Sequence, residues 1–312
     1  MGLPLDDATR VGFMAAARSM QDAREIAVRA ESLGYDSLWT GDHVVFTVPI
    51  LDPLLQLAQM ATASGKLALG TSVFLLPLRH PVLVAKQVAT LDHLCDGRFI
   101  FGVGIGGEFA AEYEACNVPV RERGARLEAA LPLVRSLLAG APTRGDARFY
   151  PFPETRLAPP AKQPGGPPIW CGGRRPAALA RMGRLADGWV SYVVTPEQYA
   201  AGLARIEAAA AAAGRELRRF GTGHLLFARV ADDYESAFAS ANAHLSRRYA
   251  MDFGKATRRY AAIGTPADVA ERLSRYQRAG VRHFIVDPVA DAAAEREEQL
   301  ERFAKEVRPL LA

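Results

Sequence analysis

The stretch from Leu67 to Phe109 begins with LALGTSVFLL and ends with RFIFGVGIGGEF. Both ends are continuous apolar runs of strand length, and residues 81–94 between them follow a helical pattern of apolar positions. Two apolar strands joined by a helix of this kind are typical of a βαβ unit with a buried parallel pair. Small and polar residues follow each strand, at the carboxyl ends where parallel α/β folds bind their ligands.

The same unit recurs along the chain. Helices are predicted to begin at X-Pro pairs, because proline fits the first helical position: Asp52-Pro53, His80-Pro81, Arg175-Pro176, Thr195-Pro196 and Thr265-Pro266. Strands are predicted near 11–15, 36–40, 67–74, 98–103, 168–171, 188–193, 223–229 and 282–287. Eight strands alternating with helices in 312 residues favour a closed α/β fold, the (β/α)8 TIM barrel, over an open doubly wound sheet.

The rhythm of strands and helices is interrupted twice. The segment 141–167 is rich in proline and glycine and is expected to be an insertion with a small hairpin. A second irregular segment is expected near 249–264. With no clean boundary elsewhere, residues 1–312 are predicted to form a single barrel domain with these two insertions.

Net charge, apolar runs and cysteine spacing indicate which kinds of partner, metal site and compartment are expected. The net charge of +4 is small and is spread as arginine along helices, so no nucleic-acid partner is expected. No apolar run is long enough to span a membrane. The three cysteines, Cys95, Cys116 and Cys171, show neither metal-ligand nor disulfide spacing. We therefore expect no metal site, and free thiols without a signal peptide indicate a cytoplasmic protein.

Two glycine-rich segments follow predicted strands. Gly102-x-Gly104-x-x-Gly107 matches the dinucleotide-binding fingerprint in form, but no long helix follows it, and an open strand end at a barrel rim explains it as well. Gly172-Gly173-Arg174-Arg175 lies between a strand and a helix, where backbone N–H groups and guanidinium groups together favour a phosphate. An ordinary turn with solvated arginines is the alternative.

Three titratable residues are candidates for chemistry. Asp42 and His43 follow the second predicted strand, and imidazole titrates near neutral pH. Glu108 follows the glycines of the fourth strand and is a candidate acid at the rim, although a carboxylate beginning a helix would be equally ordinary. The other histidines lie within helices or strands, and we interpret them as structural or exposed.

Seven segments, in order along the chain, together resemble the luciferase-like monooxygenase family of flavin- and deazaflavin-dependent barrels. They are LGYDSLWTGDH from Leu33, LGTSV from Leu69, LRHPV from Leu78, LDHL with the following Gly97-Arg98 from Leu91, GVG from Gly102, IWCGG from Ile169 and LADGW from Leu185. Each segment alone is a weak signal. The set covers residues from about 10 to 290 and is specific for the family, though not for a substrate.

The resemblance implies a reduced isoalloxazine ring at the barrel mouth. It places a non-proline cis peptide that supports the ring at Ser72–Val73, with Gly70 allowing a close backbone approach and Gly104 among the cofactor-binding residues. Gly172, Gly173, Arg174 and Arg175 would hold the cofactor phosphate. Asp42 and His43 match a pair that acts near the ring in proton transfer, and Glu108 would face the substrate.

The resemblance leaves the cofactor open between FMN and the deazaflavin coenzyme F420. With FMN the enzyme would activate oxygen and act as a monooxygenase on a small organic substrate. With the deazaflavin it would be a dehydrogenase or reductase that transfers hydride without oxygen. A non-catalytic flavin-binding barrel is a third possibility, from a different class of protein. Members of the family are commonly dimers, so we expect a homodimer.

Overall fold

The computed structural model describes residues 8–46, 48–106 and 109–311. Its ten strands are Arg10–Met14 (β1), Ser37–Thr40 (β2), Ala68–Thr71 (β3), Phe74–Leu75 (β4), Phe99–Gly104 (β5), Ile169–Gly172 (β6), Gly188–Tyr192 (β7), Gly221–Val230 (β8), Ala262–Gly264 (β9) and His283–Pro288 (β10).

Eight of these strands form a closed parallel barrel. Their order is β1, β2, β3, β5, β6, β7, β8 and β10, and β10 pairs with both β8 and β1 to close the ring. The register is continuous, since Gly12 on β1 lies between Ile285 on β10 and Ser37 on β2. The (β/α)8 TIM barrel expected from the sequence is confirmed, and a Rossmann-type origin of the Gly102–Gly107 pattern is excluded.

Eleven helices surround the barrel in the described ranges: Met20–Ser32 (α1), Pro53–Ala61 (α2), Pro81–Leu94 (α3), Ala110–Ala115 (α4), Arg123–Leu138 (α5), Pro176–Leu185 (α6), Pro196–Ala212 (α7), Tyr234–Tyr249 (α8), Gly254–Tyr260 (α9), Pro266–Arg278 (α10) and Ala293–Arg302 (α11). All five predicted X-Pro openings begin a helix. Thr195 and Thr265 each complete a capping box, which satisfies two backbone N–H groups at the helix start.

Three segments differ from the expectation. The third predicted strand, 67–74, is divided into β3 and β4. The segment 249–264 is not irregular, because it holds α9 and β9. Ile263 of β9 is buried in a cluster with apolar residues of α8, and β9 pairs with β8. In 141–167 the predicted hairpin is reduced to two isolated antiparallel bridges, one between Thr143 and Thr155 and one between Asp146 and Tyr150.

Large side chains fill the middle of the barrel. The rings of Trp39 and Trp170 lie 5.6 Å apart, and the indole N–H of Trp39 donates to Ser37 Oγ. Glycines on neighbouring strands make room for them, since a Cβ on Gly70 would overlap Trp39 and one on Gly221 would overlap Trp170. The interior of the barrel is therefore filled by side chains, and a ligand is expected at the mouth formed by the carboxyl ends of the strands.

No helix in the described part of the chain has both the length and the apolar character needed to cross a membrane.

Two buried histidines make the fold sensitive to acid. His224 is hydrogen-bonded to Ser191 and His283 to Ser37, and burial lowers the pKa of each imidazole to about 3. The unfolded chain takes up these protons below pH 6.5, whereas the folded chain does not until about pH 3. The free energy of unfolding should therefore be fully retained above pH 6.5 and fall between pH 6.5 and 3.

From pH 7 to pH 5 we expect a loss of about 2 kcal/mol per buried histidine. Urea unfolding of the protein and of His224→Gln at both pH values measures it, and the variant should lose about 2 kcal/mol less. His93→Gln, at an exposed position, is the control for removal of a histidine. An equal pH dependence in the protein and in His224→Gln would show that His224 is not held neutral.

Candidate active site

The segment between β3 and β4 forms an irregularity at the barrel mouth. Gly70 pairs with Ile100 and Phe74 with Val103, so three residues, 71–73, lie opposite two on β5. This extra residue is a bulge, which redirects the chain at a strand end. The Ser72–Val73 peptide bond within it is cis, as the family resemblance implied.

Val73 is enclosed by glycines of the two neighbouring strands. A Cβ on Gly104 would overlap the Val73 side chain, and one on Gly172 would come into close contact with it. Both glycines were expected to bind a cofactor, and the structure shows that the space they leave is taken by Val73. Gly70 likewise makes room for Trp39. These three glycines therefore determine the position of protein side chains at and below the mouth.

Asp42 joins the end of β2 to β4 through a buried ion pair. Its carboxylate accepts from Arg79 Nη1 at 2.6 Å and Nη2 at 2.9 Å, and also from the Leu75 N–H. The guanidinium group of Arg79 in turn lies over the Phe74 ring. Since Asp42 is 3 % exposed and both its oxygens have donors, we assign it to holding this edge of the mouth together. Its expected catalytic role stays a prediction.

His43 forms a pair with a carboxylate that the sequence analysis did not identify. Its Nδ1 lies 3.1 Å from both carboxylate oxygens of Glu112 on α4. Glu112 is 1 % exposed and also accepts from the Val44 N–H, so its position is fixed. An ionised carboxylate only accepts, and we therefore assign the Nδ1 proton to this contact. Nε2 has no hydrogen-bond partner within the described ranges and is left for a ligand.

Aromatic rings restrict the imidazole further. The His43 ring stacks on Phe46, with centroids 3.8 Å apart, and meets the edge of Phe109. About a quarter of the His43 side chain remains exposed (26 %). The imidazole is thus oriented by one carboxylate and two rings, with one nitrogen available at the mouth.

The segment Gly172–Arg175 has the features of an anion site. Gly173 has φ of +131°, a conformation suited to glycine, and the chain then enters α6 at Pro176. Within the described residues, the backbone N–H groups of Arg174 and Arg175 have no acceptor. Both side chains are exposed, and Arg174 Nη1 makes only a long contact to the Tyr192 carbonyl. Unpaired N–H groups, two guanidinium groups and a helix N-terminus together fit a phosphate.

A second polar cluster lies at the mouth on β7 and β10. Asp287 follows Ile285 on the inward face of β10 and pairs with Arg248 of α8 at 2.8 Å. Burial opposes ionisation of Asp287, but the guanidinium groups of Arg248 and Arg296 hold the pKa of its carboxyl below the usual range. Near it the Tyr192 hydroxyl is hydrogen-bonded to that of Tyr249, and burial raises the pKa of Tyr192.

The remaining predictions concern Glu108, metal binding and the three cysteines. Glu108, expected to be catalytic, lies outside the described residues. In the part of the chain that the structure describes, no three histidine, cysteine or acidic side chains are grouped so that they could hold a metal ion. The three cysteines are free.

Comparison with known proteins identifies the family. The family model described as luciferase-like monooxygenase matches residues 7–283, so the chain belongs to that family. An uncharacterised protein of Mycobacterium tuberculosis is 30% identical over 210 residues, which are 61% of this chain and 72% of that protein.

Two solved structures share the fold. The monooxygenase RslO1 from Streptomyces bottropensis superposes with a TM-score of 0.84 at 23% identity, covering 97% of this chain and 100% of the other. An F420-dependent secondary alcohol dehydrogenase, solved with an F420–acetone adduct, superposes with a TM-score of 0.82 at 19% identity, covering 98% and 99%. Identities this low show a common fold alone.

Proposed function

We propose that the protein is an oxidoreductase that binds reduced FMN or coenzyme F420 at the barrel mouth and acts on a small organic substrate. The observation that carries this proposal is the His43–Glu112 pair, which leaves one imidazole nitrogen available after β2, the strand that pairs with β3 beside the Ser72–Val73 bulge. The two solved structures compared above are of redox enzymes, one a monooxygenase and one an F420-dependent dehydrogenase, and they support the proposal.

The residues present fit such a cofactor. Ser72 and Val73 would support the ring, and Gly172–Arg175 would hold the phosphate through N–H groups and guanidinium groups. Val73 connects the two parts, because it lies against both Gly104 and Gly172. When bound, the cofactor would supply hydride transfer or, in the case of FMN, oxygen activation, and the protein would contribute binding and orientation.

His43 is the residue we assign to proton transfer. With Nδ1–H donated to Glu112, Nε2 can accept a proton from a substrate hydroxyl or return one to a carbonyl oxygen. Glu112 stabilises the protonated imidazole and keeps its orientation. Phe46 and Phe109 cover the ring and limit the access of water to it.

The choice between oxygenation and hydride transfer is a matter of the cofactor. Oxygen consumption with reduced FMN would support the monooxygenase, and a substrate-dependent change in F420 absorbance without oxygen would support the dehydrogenase. Cofactor retained without turnover of any tested substrate would favour the non-catalytic barrel.

The proposal as a whole is tested by titration. We expect fluorescence quenching to give saturable binding of FMN, F420 or both at micromolar concentration, and the absorption spectrum of the purified protein to reveal any cofactor it retains. Absence of binding by both cofactors at high micromolar concentration would contradict the proposal.

In the same titration, Arg174→Ala should weaken cofactor binding by about 1–3 kcal/mol, the range for a charged hydrogen bond. Riboflavin, which lacks the phosphate, should bind the protein and the variant equally. A variant whose dissociation constants all match those of the protein would show that Arg174 is only a solvated turn residue.

We also propose a homodimer in the cytoplasm. Exposed leucines on two packed helices and just before one of them support the dimer: Leu51, Leu55 of α2 and Leu83 of α3 are 46%, 70% and 66% exposed. Exposed apolar groups of this kind are typical of interaction surfaces. The free cysteines agree with a reducing compartment.

A further inference from the structure

A cleft of about 370 Å³ lies beside the Gly172–Arg175 loop. It is lined by the first half of α7, by the end of α9 and by the connection between β7 and α7. Its lining residues that matter for binding are Arg174, Gln198, Arg205 and Tyr260, with Trp189 as the apolar wall. The volume lies within the range of small-ligand sites, and a phosphate group, a few water molecules in size, would fill only part of it.

The charge of the cleft is entirely positive. Arg174 and Arg205 line it, and no lining residue is acidic. Arg205 is exposed and has no ion-pair or hydrogen-bond partner among the described residues. Gln198 Oε1 accepts from the Thr195 N–H, so its amide NH₂ is left as a neutral donor. These groups favour a ligand with more than one anionic oxygen group.

A second groove in the described part of the chain lacks this character. It runs along α1 and is lined by Arg24 and Arg29 together with Glu25 and Glu297, so its charges balance. Arg29 already pairs with Glu297 and Glu301. The positive cleft is thus set apart by the absence of acidic residues from its lining and by its contact with the predicted phosphate loop through Arg174.

FMN ends at its phosphate and would leave the outer part of the cleft empty. In coenzyme F420 the phosphate is a diester that continues into a chain carrying glutamate carboxylates. We propose that the cleft binds this anionic continuation, with Arg174 at the phosphate and Arg205 at a carboxylate beyond it, so that the chain is adapted to F420 rather than to FMN. This inference rests on the proposed function.

The experiment compares three ligands by fluorescence titration: F420 with its glutamate chain, the same compound after removal of the glutamates, and FMN. We expect removal of the glutamates to weaken binding at least tenfold. Arg205→Gln should weaken binding of complete F420 about tenfold, while affinities for the shortened compound and for FMN stay within twofold.

Arg219→Gln is the matched control, because Arg219 is equally exposed but precedes β8, at the opposite end of the barrel. It should leave all three affinities unchanged. Equal affinities for complete and shortened F420, or equal effects of Arg205→Gln and Arg219→Gln, would overturn the inference while leaving the proposed function intact. Failure of all three ligands to bind would overturn both.

Discussion

His43→Gln is expected to lower turnover by about 100-fold or more, with cofactor affinity within about twofold of the unaltered protein. A positioned general acid or base contributes on the order of 10²–10⁴ to the rate, and glutamine cannot take up or release a proton at neutral pH. Glutamine keeps an amide that can donate to Glu112, so the mouth should stay intact. The measurement is single-turnover kinetics with prereduced cofactor, which separates chemistry from cofactor binding.

Glu112→Gln distinguishes a positioning role from a purely structural one. The amide can still contact Nδ1 but cannot compensate the charge of a protonated imidazole, so turnover should fall while cofactor affinity stays within about twofold of the unaltered protein. A smaller rate loss than in His43→Gln is expected. If Glu112→Gln kept the full rate, or lowered it only together with cofactor affinity, Glu112 would be a packing residue. If His43→Gln kept full turnover, the proton-transfer assignment would be wrong.

The repeating pattern of the chain predicts the barrel well, because its signals are local. Apolar runs and X-Pro openings act within a few positions, and all five proline openings begin a helix. The stretch around β9 was missed since its burial depends on α8, a contact that local periodicity does not reveal.

The candidate site was predictable only in part, for a related reason. The sequence indicates candidate residues where they follow a strand, as with His43 and Arg174, and their roles stay predictions. Glu112 gave no comparable signal: it lies in an alanine-rich helix, and only the folded chain brings it to an imidazole 69 positions earlier. Arg79 lies in a segment that resembles the family, but nothing in the sequence indicates that it pairs with Asp42. Alternation along β7 and β10 was the available clue to Tyr192 and Asp287, which share a face with Val190 and Ile285.

The glycines at the mouth are visible in the sequence, but their role in the structure differs from the expected one. Gly70 and Gly104 were expected to admit a cofactor, yet the missing side chains make room for Trp39 and Val73. A glycine in the sequence can mark a position where a Cβ has no room. It does not show whether a ligand or another part of the chain occupies the space. Resemblance to the family is therefore not sufficient to assign such a glycine as a residue that contacts the cofactor.

Asp42→Asn should reduce the free energy of unfolding by about 3 kcal/mol, at the lower end of the range for losing one partner of a buried ion pair. The Arg79 side chain is 22 % exposed, so water can partly replace the lost carboxylate. Asparagine can still accept from Leu75, but its NH₂ would oppose one guanidinium N–H. Urea unfolding at neutral pH measures the change from the shift in midpoint.

Asp291→Asn is the matched control, since Asp291 pairs with Arg247 while 60 % exposed. It should cost less than about 1 kcal/mol, as exposed ion pairs do. The double variant Asp42→Asn/Arg79→Met then measures the interaction energy between the two side chains. Its loss of unfolding free energy should be smaller than the sum of the losses of the two single variants, because no uncompensated charge remains buried. Additive costs, or a loss for Asp42→Asn no larger than for Asp291→Asn, would mean that this ion pair does not hold β2 to β4.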